Sequence, residues 1–175
     1  FLTIEQNGQT YLTRDGRLVL TPDGQPAAGA KVVARWMDRH AGMPDLRVED
    51  VCGDDGSFSL RAALDGEHRV WGRVLALKEG FGLGWQSIGV EDVADCVVTL
   101  SPEAPLMGDV RTGDGKPISG AKITVEYVSV ETFTDTVFPK EDMLTTSDDA
   151  GAFALGGLPA GHSARLSVMA TGYAH

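Results

Sequence analysis

The residues best suited to recognition chemistry are two tryptophans with arginine neighbours. Over residues 68–76, alternation puts Val70, Val74 and Ala76 on one face of a strand, which turns Trp71 outward between Arg69 and Arg73. An indole flanked by guanidinium groups is a flat apolar surface with polar edges, suited to stacking on a sugar ring or on a partner side chain. Trp85 follows shortly, in the stretch Gly80-Phe81-Gly82-Leu83-Gly84-Trp85, which reads as a mobile loop. That stretch lacks the GxGxxG spacing and the following helix that would hold a phosphate. The competing reading has Trp71 packing against the other domain or the N-terminal strands.

Other chemistries find less to build on. A zinc peptidase needs a His-x-x-Glu pair, and none of His40, His68 and His162 is followed by Glu at that spacing, while His175 is the last residue. Cys52 and Cys96 make no CxxC site, and both one disulfide and two buried thiols remain open. Asp54-Asp55 and Asp148-Asp149 supply oxygen ligands of the kind Ca²⁺ takes, although two carboxylates beside a glycine also make an ordinary turn. The expectation is a non-enzymatic chain with no cofactor, with Ca²⁺ at these pairs as the exception.

Charge narrows the partners. With 25 acidic and 15 basic residues, a formal charge of −10 repels a phosphate backbone, which excludes nucleic acid. Apolar runs are all broken well short of the roughly 18 residues that a spanning helix needs, so no membrane insertion is expected. The start at Phe1, without an initiator Met or a signal-like segment, reads as that of a processed or excised chain.

The elements that position these residues emerge from self-comparison. Asp23-Gly24-Gln25-Pro26-Ala27-Ala28-Gly29-Ala30-Lys31-Val32 aligns without a gap on Asp114-Gly115-Lys116-Pro117-Ile118-Ser119-Gly120-Ala121-Lys122-Ile123, with six of ten positions identical. A second block, Asp54-Asp55-Gly56-Ser57-Phe58-Ser59-Leu60, answers Asp149-Ala150-Gly151-Ala152-Phe153-Ala154-Leu155. Asp-Gly makes the turn, Pro fixes φ and Gly-Ala opens the next strand. Alternation then points Ala30, Val32, Ala34 and Trp36 inward against Lys31, Val33, Arg35 and Met37. In the second copy it points Ala121, Ile123, Val125 and Tyr127 inward against Lys122, Thr124, Glu126 and Val128.

Further strands are expected at residues 57–60, 68–77, 96–100, 107–111, 152–155 and 164–170, and no segment keeps a helical period. The 22 glycines fit a chain of many tight turns. Asn7-Gly8, Asp15-Gly16 and Asp23-Gly24, eight residues apart, read as a short N-terminal β-meander. The domain expectation is a meander or the end of a preceding domain at 1–15, a first β-sandwich at 16–104 and a second at 105–175.

These motifs resemble the carboxypeptidase regulatory-like domain, a transthyretin-like or prealbumin-like β-sandwich. The second copy carries Asp114-Gly115-Lys116-Pro117, Gly120-Ala121, Asp148 to Leu155, Leu158-Pro159-Ala160-Gly161 and Gly172-Tyr173. The first is looser, with Leu64-Asp65-Gly66 in place of the Leu-Pro turn and Gly80-Phe81 in place of Gly-Tyr. The resemblance implies an all-β chain of two tandem Greek-key-type sandwiches. It also implies one more strand after Gly172-Tyr173 than the second copy has, and residues 1–14 are candidates to pair with an open sheet edge. By function it implies an accessory, structural or adhesion-like module of a larger exported protein, extracellular or in the cell envelope or periplasm. Its partners would be other domains of that protein or other proteins. The alternative is a carbohydrate-binding module that grips polysaccharide with the first domain's aromatics, Trp71 and Trp85, beside Arg69 and Arg73.

Overall fold

A computed structural model describes residues 2–6, 9–14, 18–38, 46–64, 70–88, 96–129, 136–137 and 139–173. Among them are fifteen strands and no helix, so the protein is all-β, in several small sheets consistent with a β-sandwich. The chain forms two compact units, Phe1–Lys78 with Leu83–Ser101, and Glu79–Gly82 with Pro102–His175.

The first unit contains three sheets. β1 (Leu2–Gln6), β2 (Gln9–Arg14) and β6 (Leu60–Leu64) form one, in which the N-terminal hairpin adds to β6 through Thr10↔Leu64 to Arg14↔Leu60. β3 (Leu18–Leu20) pairs in parallel with β9 (Val97–Thr99). The largest sheet runs β5 (Leu46–Val51), β4 (Lys31–Asp38), β7 (Val70–Leu77) and β8 (Gly84–Ile88), all antiparallel. Val32, Ala34, Val74 and Ala76 are fully buried on one face of it, and Val19, Val98 and Leu100 complete the core.

In the second unit, β10 (Leu106–Asp109) pairs with β14 (Ala152–Leu155). β11 (Lys122–Ser129) lies between β15 (Ser163–Met169) on one edge and β12 (Thr136–Val137) with β13 (Leu144–Thr146) on the other. Ala121, Ile123, Val125, Val128 and Leu155 make its core.

The repeat extends to individual hydrogen bonds. Val19 N–H donates to Gly56 C=O at 2.9 Å and Val110 N–H to Gly151 C=O at 2.8 Å. Thr21 N–H reaches Gln25 C=O at 2.8 Å and Thr112 N–H reaches Lys116 C=O at 2.9 Å. The Thr21 and Thr112 hydroxyls bond the Asp23 and Asp114 carboxylates, and accept the Gln25 and Lys116 amides at 3.1 and 3.0 Å. Gly56 and Gly151 take φ of +76° and +79°, and a Cβ there would lie 2.7 Å from Val19 O and 2.6 Å from Val110 O. Left-handed backbone and a close carbonyl explain why both copies keep glycine at this corner.

Alternation fails in two places. Val33 is fully buried rather than outward, and its cross-strand partner Leu75 on β7 is buried beside it. In β11 a bulge between Val125 and Tyr127 inserts a residue and reverses the phase, so Val128 is buried and Tyr127 only half-buried. The side chain of Trp36 lies outside the described residues.

Other strand expectations also shift. Residues 57–59 lie outside the strand that starts at Leu60, and β5, β12 and β13 arise where no strand was expected. Trp85 belongs to β8 and not to a mobile loop. The neighbouring glycine is there for contact: a Cβ on Gly84 would lie 2.3 Å from Thr99 O, so only a bare α-carbon lets β8 meet the β9 backbone.

Candidate functional site

The candidate surface is the face of the large sheet opposite Val32 and Ala34. Antiparallel partners share a face, so the register Arg47↔Arg35↔Arg73 sets three arginines side by side across β5, β4 and β7, with Ser87 of β8 next in the row. The adjacent row reads Glu49, Val33, Leu75 and Trp85. Val33 and Leu75 form its buried floor, and Trp85 closes it half-buried.

Like charges directly opposite one another weaken a sheet unless carboxylates intervene. Glu49 supplies one, contacting the Arg47 guanidinium and lying 3.1 Å from Lys31 Nζ. The described side chains of this face include the cations Lys31, Arg35, Arg47 and Arg73 and the anion Glu49.

Of the residues singled out in the sequence, Arg73 and Trp85 lie on this face, one row and one strand apart. Trp71 sits on β7 opposite Met37, and its side chain lies outside the described residues, as does Arg69 altogether. Arg35 and Arg47 were not foreseen. Arg35 carried the only usable signal, an outward position in an alternating strand, whereas Arg47 follows a segment without clear alternation.

The acidic pairs act in turns. Asp55 Oδ1 accepts Ser57 N–H at 3.0 Å and Ser57 Oγ–H at 2.6 Å, and these bonds hold its carboxyl below the usual range. Asp148 Oδ1 accepts the Ala150 and Ala152 amides, each at 2.9 Å, and Asp149 accepts the Ser119 hydroxyl at 2.9 Å. Among the described residues no group of three His, Cys, Asp or Glu side chains is placed to hold a metal ion.

Cys52 and Cys96 are both buried free thiols. Burial, helped by the Asp50 charge, pushes the Cys52 thiol up to about 11, which keeps it protonated and unreactive at neutral pH. The matching position in the second unit is Ser147. Its hydroxyl donates to Ile118 C=O at 2.6 Å and accepts Ala121 N–H at 2.9 Å.

No protein-family model, curated protein or solved structure matches this chain.

Proposed function

We propose that this chain is a non-enzymatic interaction module of a larger exported protein, built as two tandem Greek-key sandwiches of the carboxypeptidase regulatory-like, transthyretin-like kind. In this reading the first unit docks an acidic protein partner on its arginine-bearing sheet face. The observation that carries it is a division of labour between repeated and unrepeated residues. What recurs in both units, from Thr21 and Thr112 to Gly56 and Gly151, builds corners. What differs lies on the sheet face, where Arg35 of the first unit stands at the position of Glu126 in the second. Glu126 is committed internally, to Lys140 and to the Ser167 hydroxyl at 2.7 Å.

The test is surface binding of poly-glutamate and of neutral and anionic polysaccharides to the whole chain. Expected is poly-glutamate binding that weakens as salt screens it and that falls about tenfold or more in the Arg35→Gln/Arg73→Gln double variant, as the loss of charge-assisted contacts implies. Retention of full binding by that variant discards the arginine face. Binding of a neutral glycan that Trp71→Ala and Trp85→Ala abolish would replace protein docking with carbohydrate recognition.

A further inference from the structure

Strands β4 and β11 hold the same place in the repeat, yet only β4 is regular. It pairs with β7 without a break from Lys31↔Leu77 to Asp38↔Val70, which sets Trp36 opposite Gly72. Val32 pairs with Ala76 and Ile123 with Val168, so counting along both strand pairs makes Tyr127 the counterpart of Trp36 and Ala164 that of Gly72. A regular β11 would therefore set Tyr127 opposite Ala164. The bulge sets Val128 there instead and Tyr127 opposite Arg165, and the residue it leaves without a place in the β15 register is Glu126.

Glu126 is tied down. Its carboxylate pairs with the Lys140 ammonium and accepts the Ser167 hydroxyl at 2.7 Å, one contact to the turn after β12 and one to β15. The regular register has supports of its own. It would bring Glu126 directly opposite Arg165, a cross-strand pair of opposite charge. It would also point Tyr127 at a cavity of about 250 Å³ beside Val128 and Ala164, bounded by Leu106, Leu158 and His162. An apolar cavity of about 150 Å³ already holds a benzene ring, so this one has room for the phenol that the smaller valine does not fill.

We infer that β11 is a two-register switch with Glu126 as its latch. In the latched register Tyr127 stands on the outward face beside Arg165. In the regular one Tyr127 enters the cavity, Val128 turns outward, and Glu126 leaves Lys140 and Ser167 for Arg165. A slip of one residue exchanges the faces of residues 127 and 128 and leaves 122–125 in place. The switch decides whether the second unit shows an aromatic ring beside a guanidinium, a surface suited to recognition, or an ion pair that neutralises itself. It lies within the second unit and does not depend on the arginine face of the first.

Nuclear magnetic resonance of the whole chain, labelled at methyl groups and tyrosine rings, tests the switch. Lys140→Ala with Ser167→Ala removes the latch and leaves Glu126 to meet Arg165. Expected is exchange at the Val128 methyls on the microsecond-to-millisecond scale, with the regular register gaining about tenfold in population over the unaltered chain. That gain is about 1.4 kcal/mol, the loss of one hydrogen bond to a charged group. Contacts from the Tyr127 ring to the Leu106, Leu158 and Ala164 methyls should appear with it. Ala164→Leu fills the cavity from β15 and should suppress the exchange. An unchanged Val128 signal in the latch variant overturns the inference, as does exchange that survives Ala164→Leu. Loosening of β11 without the Tyr127 contacts overturns it too, because a merely structural clamp would fray and not bring the ring inward.

Discussion

In the first unit the opening stretch of chain is held on both edges, β2 by β6 and β3 by β9, whereas in the second, among the described residues, β10 is held by β14 alone. The corners are nearly interchangeable, but the closure is not. Turn chemistry and core closure are thus separable layers of the fold. The first is written in short local motifs that survive repetition, and the second depends on strands contributed from far along the chain.

The largest expected effects test closure. Gly84→Ala forces β8 away from Thr99, and should cost the first unit about 3 kcal/mol or more, the upper range of overpacking, in urea unfolding. Gly56→Ala and Gly151→Ala should each cost roughly 1–3 kcal/mol from left-handed backbone alone, and near-equal losses would support interchangeable corners. Strongly unequal losses would break that half of the comparison.

Next come the core positions. Leu75→Ala removes a side chain 2% exposed and should cost about 2–5 kcal/mol, while Val168→Ala at the open edge should stay within about 0.5 kcal/mol. A large loss at Val168 would mean that the second unit is already closed.

The Cys52 and Ser147 pair sharpens the comparison further. Ser147→Ala strands the Ala121 amide and should cost about 1–3 kcal/mol, whereas Cys52→Ala loses only packing, about 1 kcal/mol. Ala30, the counterpart of Ala121, donates to Ala27 C=O at 3.1 Å and needs no side-chain partner. A thiol reagent at pH 8 should label Cys52 only after denaturant is added.

The smallest effect is in acid. The Thr21 hydroxyl holds the Asp23 carboxyl below its ordinary value of 3.8, and Thr112, then Lys116, do the same for Asp114. A lowered carboxyl pKa stabilises the fold above its unfolded value and loses that contribution as pH falls through the lowered one. Thr21→Val and Thr112→Val should therefore move the acid-unfolding midpoint slightly upward, each by a similar amount. Unequal shifts would show that the two Asp-Gly turns differ.

What could be read from the sequence follows the same division. The Asp-Gly-x-Pro and Gly-x-Phe blocks are local, so their turns and most of the flanking strands are legible from spacing. The bulge at Tyr127 has no such signature, and a single inserted residue exchanges Tyr127 with Val128. Strand β8 was hidden by its own glycines, which look like a loop until Thr99 is known to approach Gly84. Of the candidate site, Arg73 and Trp85 were legible. The row they belong to was not, because Arg35, Arg47 and Arg73 meet only through the register of three strands.

The parallel pair β3 and β9 has a mechanical meaning as well. Tension applied to the first unit through Leu18 and Thr99 pulls parallel neighbours in opposite directions along their common axis, so their hydrogen bonds bear the load together and not one after another. The second unit presents no such clasp among its described residues, and in a force-extension trace it should yield first.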